Sequence, residues 1–258
     1  MYETIEIQQI DSIATIKLNR PDSLNAFNAV LRRELLAAMQ SVTADDGVRV
    51  IVLCGQGRAF CAGADLTEQI PEGQTSQDRI EEYYKPLLCC MAEAPQPIVG
   101  ALQGATAGIG CGVALTCDLL VMSESAYFLQ AFSAVGLIPD GGLSWYLPRL
   151  VGSKKAYELF ALGEKLPAAD CLQLGLVNRV VPDEELESQA HALAKQLVSR
   201  APLSLQYAKA AMYKASTMSL ADSISMEATF QSVASQSADH QEGKAAFREK
   251  RAPAWLGR

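Results

Sequence analysis

The chain has 258 residues, 49% hydrophobic and 20% charged, enough to bury a large core in one domain or in one with an appendage. A formal charge of −7 and a pI near 5.0 argue against a nucleic-acid partner held on a broad basic face. Seven cysteines, an odd count without CxxC spacing, read as reduced cytoplasmic thiols, and two isolated histidines, His191 and His240, give poor support to a histidine-ligated metal or a histidine-based triad.

In chain order, residues 3–18 alternate by twos around Asp11-Ser12 and predict a β-hairpin, followed by a turn at Arg20-Pro21-Asp22-Ser23. Leu31, Leu35, Met39 and Val42 share one face of a helix from about Asn28, and the apolar run 48–55 is a buried strand type. A helix near 76–94, the strand "PIVGAL", a helix after the glycines of "GATAGIGCGVAL" (104–115) and the strand "DLLVMS" (118–123) repeat the pattern. This alternation predicts an α/β architecture with mostly parallel strands. Beyond residue 142 the strand signal is confined to 175–181. Asp183 is placed to cap a helix lined by Leu186, Ala190, Leu193, Ala194 and Leu197, and helix continues from Leu203 to the end. We divide the chain into a core, 1–200, and a helical region, 201–258, that packs on the core or on a neighbouring subunit. The N-terminus lacks the pattern of a signal peptide, and no apolar run approaches the ~18–20 residues of a membrane span.

Three loops can carry chemistry. The glycines at 104, 108, 110 and 112 match neither the G-x-G-x-x-G fingerprint nor a Walker A loop, which needs a lysine. They serve either close helix–strand packing or an N–H donor at a helix start, the arrangement that stabilises an oxyanion. "GQGRAFCAGADL" (55–66) follows a strand in the same way, so the two loops could aim two N–H groups at one oxygen; its Cys61, among apolar neighbours, is a poor candidate nucleophile. In "GLIPDGGLSWYLPRL" (136–150), Asp140 is either a helix N-cap or a general base whose pKa is raised by apolar surroundings.

These loops, with "RPDSLNAFN", "ALGEKLPAADCLQLGLVNRVV" and the terminal "DHQEGKAAFREKR", resemble over essentially the whole chain the crotonase superfamily of enoyl-CoA hydratases and isomerases. The resemblance implies a spiral of ββα units with a C-terminal helical region that assembles trimers, often paired into hexamers. It implies an acyl-CoA thioester substrate whose carbonyl is held by the backbone N–H groups of Ala64 and Ile109. Coenzyme A, part of the substrate, would lie along Ser23, Leu24 and Ala26 and along Ala62, Ala64, Asp65 and Leu66, with Phe247, Lys250 and Arg251 near its pantetheine and phosphates, sometimes from a neighbouring subunit. No metal, redox cofactor, nucleic acid or membrane is implied.

The family's hydratases carry two glutamates, and the matching positions here are Gly112 and Phe132. Asp140 remains, where some enoyl-CoA isomerases carry a catalytic acid. A single carboxylate suffices to shuttle a proton from C2 to C4, so the expected reaction is 3-enoyl to 2-enoyl or a related isomerisation. The alternatives are a hydratase, and a non-catalytic acyl-CoA-binding scaffold. Phe132, Leu137, Trp145 and Tyr146 suggest an apolar or aromatic-tolerant acyl pocket, or simply core.

Overall fold

In the computed structural model, which describes residues 2–258, the opening hairpin pairs β1 (Ile5–Ile10) antiparallel to β2 (Ile13–Leu18). Asp11 and Ser12 both take positive φ, 49° and 64°, the backbone a two-residue hairpin loop requires. From β2 onward the sheet is parallel, adding β3 (Val50–Gly55), β4 (Ile98–Leu102), β6 (Leu119–Ser123) and β9 (Arg179–Val181) in that spatial order. Alternate residues of β3 explain its unbroken apolar run: Ile51 and Leu53 face one core cluster, Val50, Val52 and Cys54 another.

On the first face lie α1 (Ala29–Thr43), α3 (Lys85–Glu93) and α4 (Ile109–Thr116). Asn28 caps α1 by accepting from Leu31 N at 2.9 Å. The second face is closed by α7 (Leu186–Val198), which buries Leu186, Ala190, Leu193 and Ala194 against it. Between α1 and α3 the expected single helix 76–94 is broken into α2 (Ser76–Arg79), a π-turn at Ile80–Tyr84, and α3; such turns concentrate at functional sites.

A second sheet was not expected. The three-residue strands β5 (Ala105–Ala107), β7 (Tyr127–Leu129) and β8 (Lys165–Pro167) form it, so β5 lies inside the glycine stretch and α4 begins there too, at Ile109. Around it run α5 (Leu143–Leu162), kinked at Gly152, and α6 (Ala168–Gln173). Asp183 does not cap α7; it accepts instead from the backbone N and hydroxyl of Ser125. The tail forms α8 (Pro202–Ala215), α9 (Leu220–Gln236) and α10 (Ala238–Glu249) and leaves helix for its last nine residues. Lys209 of α8 joins Asp118 at 2.8 Å, ahead of β6, which ties the tail to the end of the sheet opposite the loops described next. No helix among the described residues is long and apolar enough to cross a membrane.

Candidate active site

A parallel bridge between Cys61 and Thr106 registers the two glycine loops on one another; Cys61 N donates to Ala105 O at 3.0 Å and Ala107 N to Cys61 O at 2.8 Å. Three residues further along each strand this register reaches Ala64 and Ile109. The glycines just before them touch: a Cβ on Gly108 would stand 3.6 Å from Gly63 Cα. Gly108 caps α4 with φ 50° and ψ −127°, a conformation open to glycine alone, just before the first N–H of the helix. Neither Ala64 N–H nor Ile109 N–H has an acceptor among the described residues. Two adjacent unpaired donors, one at a helix start, can hold one oxygen anion.

The segment proposed for coenzyme A is sewn to this hole. Ala62 N donates to Leu24 O at 2.9 Å, Phe27 N to Gly63 O at 2.8 Å, and Asp65 N to Phe27 O at 3.0 Å. Leu24 and Asn25 take positive φ, and the buried Asn25 side chain fixes the turn by donating to Gln56 O and Ala59 O. Arg20 closes the seam through Asp65 at 2.9 Å and through Ala26 O. The Asp65 carboxyl, held by Thr67 and Arg20, lies below the usual carboxylate range. Ser23 and Leu66 are exposed beside it.

Asp140 is not an N-cap. Gly142 occupies the cap of α5 and no side chain bonds there. The carboxylate atom Oδ1 is buried with no hydrogen-bond partner. Burial pushes its pKa up, and a hydrogen bond to its own backbone and, to a lesser extent, the charge of Arg79 draw it part of the way back. The adjoining Gly141 lies on α4: a Cβ on Gly112 would collide with its carbonyl oxygen and stand 3.2 Å from its carbonyl carbon. Gly112 is therefore required by close approach, and the space a longer side chain would use is filled by the loop that carries Asp140. The Phe132 ring packs above Gly108, 3.9 Å from where its Cβ would be, an apolar wall beside the two donors.

An apolar cavity of about 270 Å³ adjoins this loop, lined among others by Ile80, Tyr84, Gly141, Trp145 and Tyr146. Leu137, expected there, is instead exposed. Cys61 is fully buried and its thiol is pushed up to about 12, which removes it as a nucleophile. Phe247 is 86% exposed on α10, which packs on α9 and on the chain end, so within one chain Phe247 and Lys250 are not brought beside Ser23–Leu66. The guanidinium of Arg251 is taken up by Glu242 and Glu249. Arg79 and Tyr84 carry no signal in the sequence: "QDRIEEYY" reads as a solvated helix face.

A parallel spiral with two loops meeting at a helix start defines an acyl-CoA-processing fold of the crotonase superfamily. The enoyl-CoA hydratase/isomerase family model matches residues 8–258, and the chain belongs to that family. It is 38% identical to a probable enoyl-CoA hydratase of Rhodobacter capsulatus, over 100% of this chain and 99% of that one. It is equally 38% identical, over the full length of both, to 1,2-epoxyphenylacetyl-CoA isomerase of Escherichia coli. The crystal structure of an enoyl-CoA hydratase from Bacillus anthracis superposes with a TM-score of 0.92 at 30% identity, covering 99% of this chain and all of the other. The protein is an enzyme of this superfamily.

Proposed function

We propose that this enzyme moves a double bond within an acyl-CoA thioester, converting a 3-enoyl to a 2-enoyl group, with Asp140 as the single proton carrier. The observation that carries the reading is the packing of Gly112 under Gly141. It leaves no room for a second carboxylate, while Asp140 keeps a buried oxygen without a partner. Fast hydration needs two groups to orient and activate water, and Phe132 lines the other flank.

The ionised Asp140 removes a proton from C2. The electron pair moves into the thioester carbonyl, whose oxygen takes up negative charge between Ala64 N–H and Ile109 N–H. The same carboxyl returns the proton at C4, and the double bond comes to rest between C2 and C3. One such donor contributes on the order of 100- to 1000-fold in rate. The pantetheine arm runs along Ser23–Ala26 and Ala62–Leu66. Phe247 and Lys250, remote within one chain, reach coenzyme A from a neighbouring subunit of a trimer or hexamer built on residues 201–258. Seven free thiols, five of them buried, support a cytoplasmic setting.

The full-length likeness to a named isomerase supports this reading, and the equal likeness to a named hydratase supplies its rival. Purified protein is offered a 3-enoyl-CoA and crotonyl-CoA in parallel. Isomerisation that disappears in Asp140→Asn supports the proposal. Robust hydration of crotonyl-CoA, or full isomerase activity in Asp140→Asn, overturns it; tight coenzyme A binding without turnover of any thioester would mark a scaffold.

A further inference from the structure

The apolar cavity beside the Asp140 loop does not end against solid core. Five of its lining residues, Ala92, Thr116, Trp145, Tyr146 and Tyr213, also line a second cavity of about 570 Å³. The two spaces stand back to back, and three of the five residues they share are aromatic rings. Leu115, Leu119, Leu120, Leu176 and Leu205 line the far space. Its Asp118 and Lys209 are spent on each other at 2.8 Å, so what it offers an occupant is chiefly hydrocarbon.

Two of the dividing rings are firmly set. Trp145 and Tyr146 lie in the first turn of α5, where both backbone N–H groups donate to Gly142 O at 2.9 Å. The Trp145 ring meets Tyr146 edge-on with centroids 4.8 Å apart, and the Arg149 guanidinium stacks on it at 4.3 Å. Tyr213 comes from the tail. It lies on α8 one turn beyond Lys209, whose bond to Asp118 sets that face of the helix against the core. Its ring packs on Trp145 with centroids 5.3 Å apart. The residue is 43% exposed, and its hydroxyl has no partner among the described residues.

We propose that Tyr213 is a specificity-determining residue that closes the far end of the acyl cavity, and that the space behind it is an extension able to take the distal part of a long acyl chain. This rests on the reading of the nearer cavity as the acyl site. With the reacting carbons at Asp140, the chain leaves past Gly141 and Gly142, which line the nearer cavity without side chains. The next surface it meets is the ring partition. The occupant of the far space is the substrate's own tail because the two spaces share that wall and the far one is apolar. Tyr213 is the ring on which the length limit depends: no hydrogen bond holds it, and its loss leaves Trp145 and Tyr146 fixed on α5. The tail thereby sets acyl length as well as packing on the core.

Calorimetric titration with a series of saturated straight-chain acyl-CoA thioesters, none of which has a double bond to move or hydrate, tests this on the wild type, Tyr213→Ala, Tyr213→Phe, and Tyr213→Ala combined with Leu205→Trp. Wild-type affinity should climb about fourfold per added methylene and then level off at the length that reaches Tyr213. In Tyr213→Ala it should keep climbing at that rate past the wild-type limit, whereas Tyr213→Phe, which keeps the ring, should level off with the wild type. Leu205→Trp fills the far cavity from α8 and should bring the limit back in the alanine background. The same limit in wild type and Tyr213→Ala overturns the proposal, as does a wild type without a limit, a gain equal at every length, or a double variant that binds long chains as Tyr213→Ala does. A moved limit in a protein that isomerises no 3-enoyl-CoA overturns the isomerase reading and leaves the length assignment standing; an unmoved limit in an active isomerase does the reverse.

Discussion

Gly112 lies directly beneath Gly141, so close that a Cβ would stand 3.3 Å from Gly141 Cα and would overlap its carbonyl oxygen. Restoring a hydratase-like acid by Gly112→Glu therefore lifts the Asp140 loop and does not complete a second catalytic carboxylate. Overpacking of this kind costs about 1–3 kcal/mol. Expected outcomes are a lower Tm, weaker isomerisation and no new hydration of crotonyl-CoA. Hydration at a rate matching the wild-type isomerisation would show that the loop yields and that the glycine is a chemical choice alone.

Asp140→Asn tests chemistry and stability at once. Removing the proton carrier should lower kcat about 100- to 10,000-fold. The folded-state pKa of Asp140 is raised by burial, so the native chain holds the proton more tightly than the unfolded one. Its stability contribution is intact below the ordinary carboxylate range and is lost as pH rises through the folded pKa. At pH 7 the ionised, desolvated group is a liability, and the amide should raise Tm by about 1–3 °C. That gain should shrink toward zero as the pH is lowered below about 4. Calorimetry at both values checks the sign, and a variant less stable at pH 7 would mean that the carboxylate is compensated in a way its surroundings do not show.

The sheet was legible because β3 and β4 are unbroken apolar runs, and the two meeting loops because glycine clusters follow strands. The second sheet was not: "ATA", "YFL" and "KLP" are three-residue strands, too short for any period to register, and they exist only because the glycine loops and α6 hold them together. Asp-Gly-Gly reads identically for a helix cap and for a base; the Gly142 cap removes the first reading, and the orphan oxygen is what supports the second. The π-turn at Ile80–Tyr84 was not legible either, because three-dimensional packing creates it and composition does not announce it.

Gly108→Ala should impair the oxyanion hole without disturbing the core. A Cβ there has room, its nearest neighbours being 3.6 and 3.9 Å away, so the penalty is conformational: φ 50° with ψ −127° costs about 1–3 kcal/mol for a residue with a side chain. Relief of that strain turns the Ile109 N–H away from the oxygen, and kcat should fall about 100-fold. Gly175→Ala supplies the control, since it also has positive φ, 74°, and nothing within 4 Å. It should lose comparable stability and keep its kcat. Equal losses of kcat in both variants would reduce the effect at Gly108 to general destabilisation.

Arg32 is 3% exposed, paired with Glu68 at 2.9 Å and stacked 5.2 Å from the Tyr83 ring centroid and 5.4 Å from that of Tyr84. It also donates to Phe27 O at 3.3 Å, and Phe27 is the residue whose backbone holds Gly63 and Asp65 in place. Arg32→Ala therefore strands a half-buried glutamate and loosens the first oxyanion loop in one step. Breaking such a pair costs about 3 kcal/mol, which lowers Tm by about 6–12 °C for a chain of this size. Glu68 meanwhile accepts from Ala29 N at the start of α1, so Glu68→Gln keeps that bond and should cost less than Arg32→Ala. Because each single change leaves the other charge unpaired, Arg32→Ala combined with Glu68→Ala should destabilise by less than the sum of the two. Strict additivity in thermal unfolding, or an unchanged kcat in Arg32→Ala, would disconnect this pair from the loop that presents Ala64.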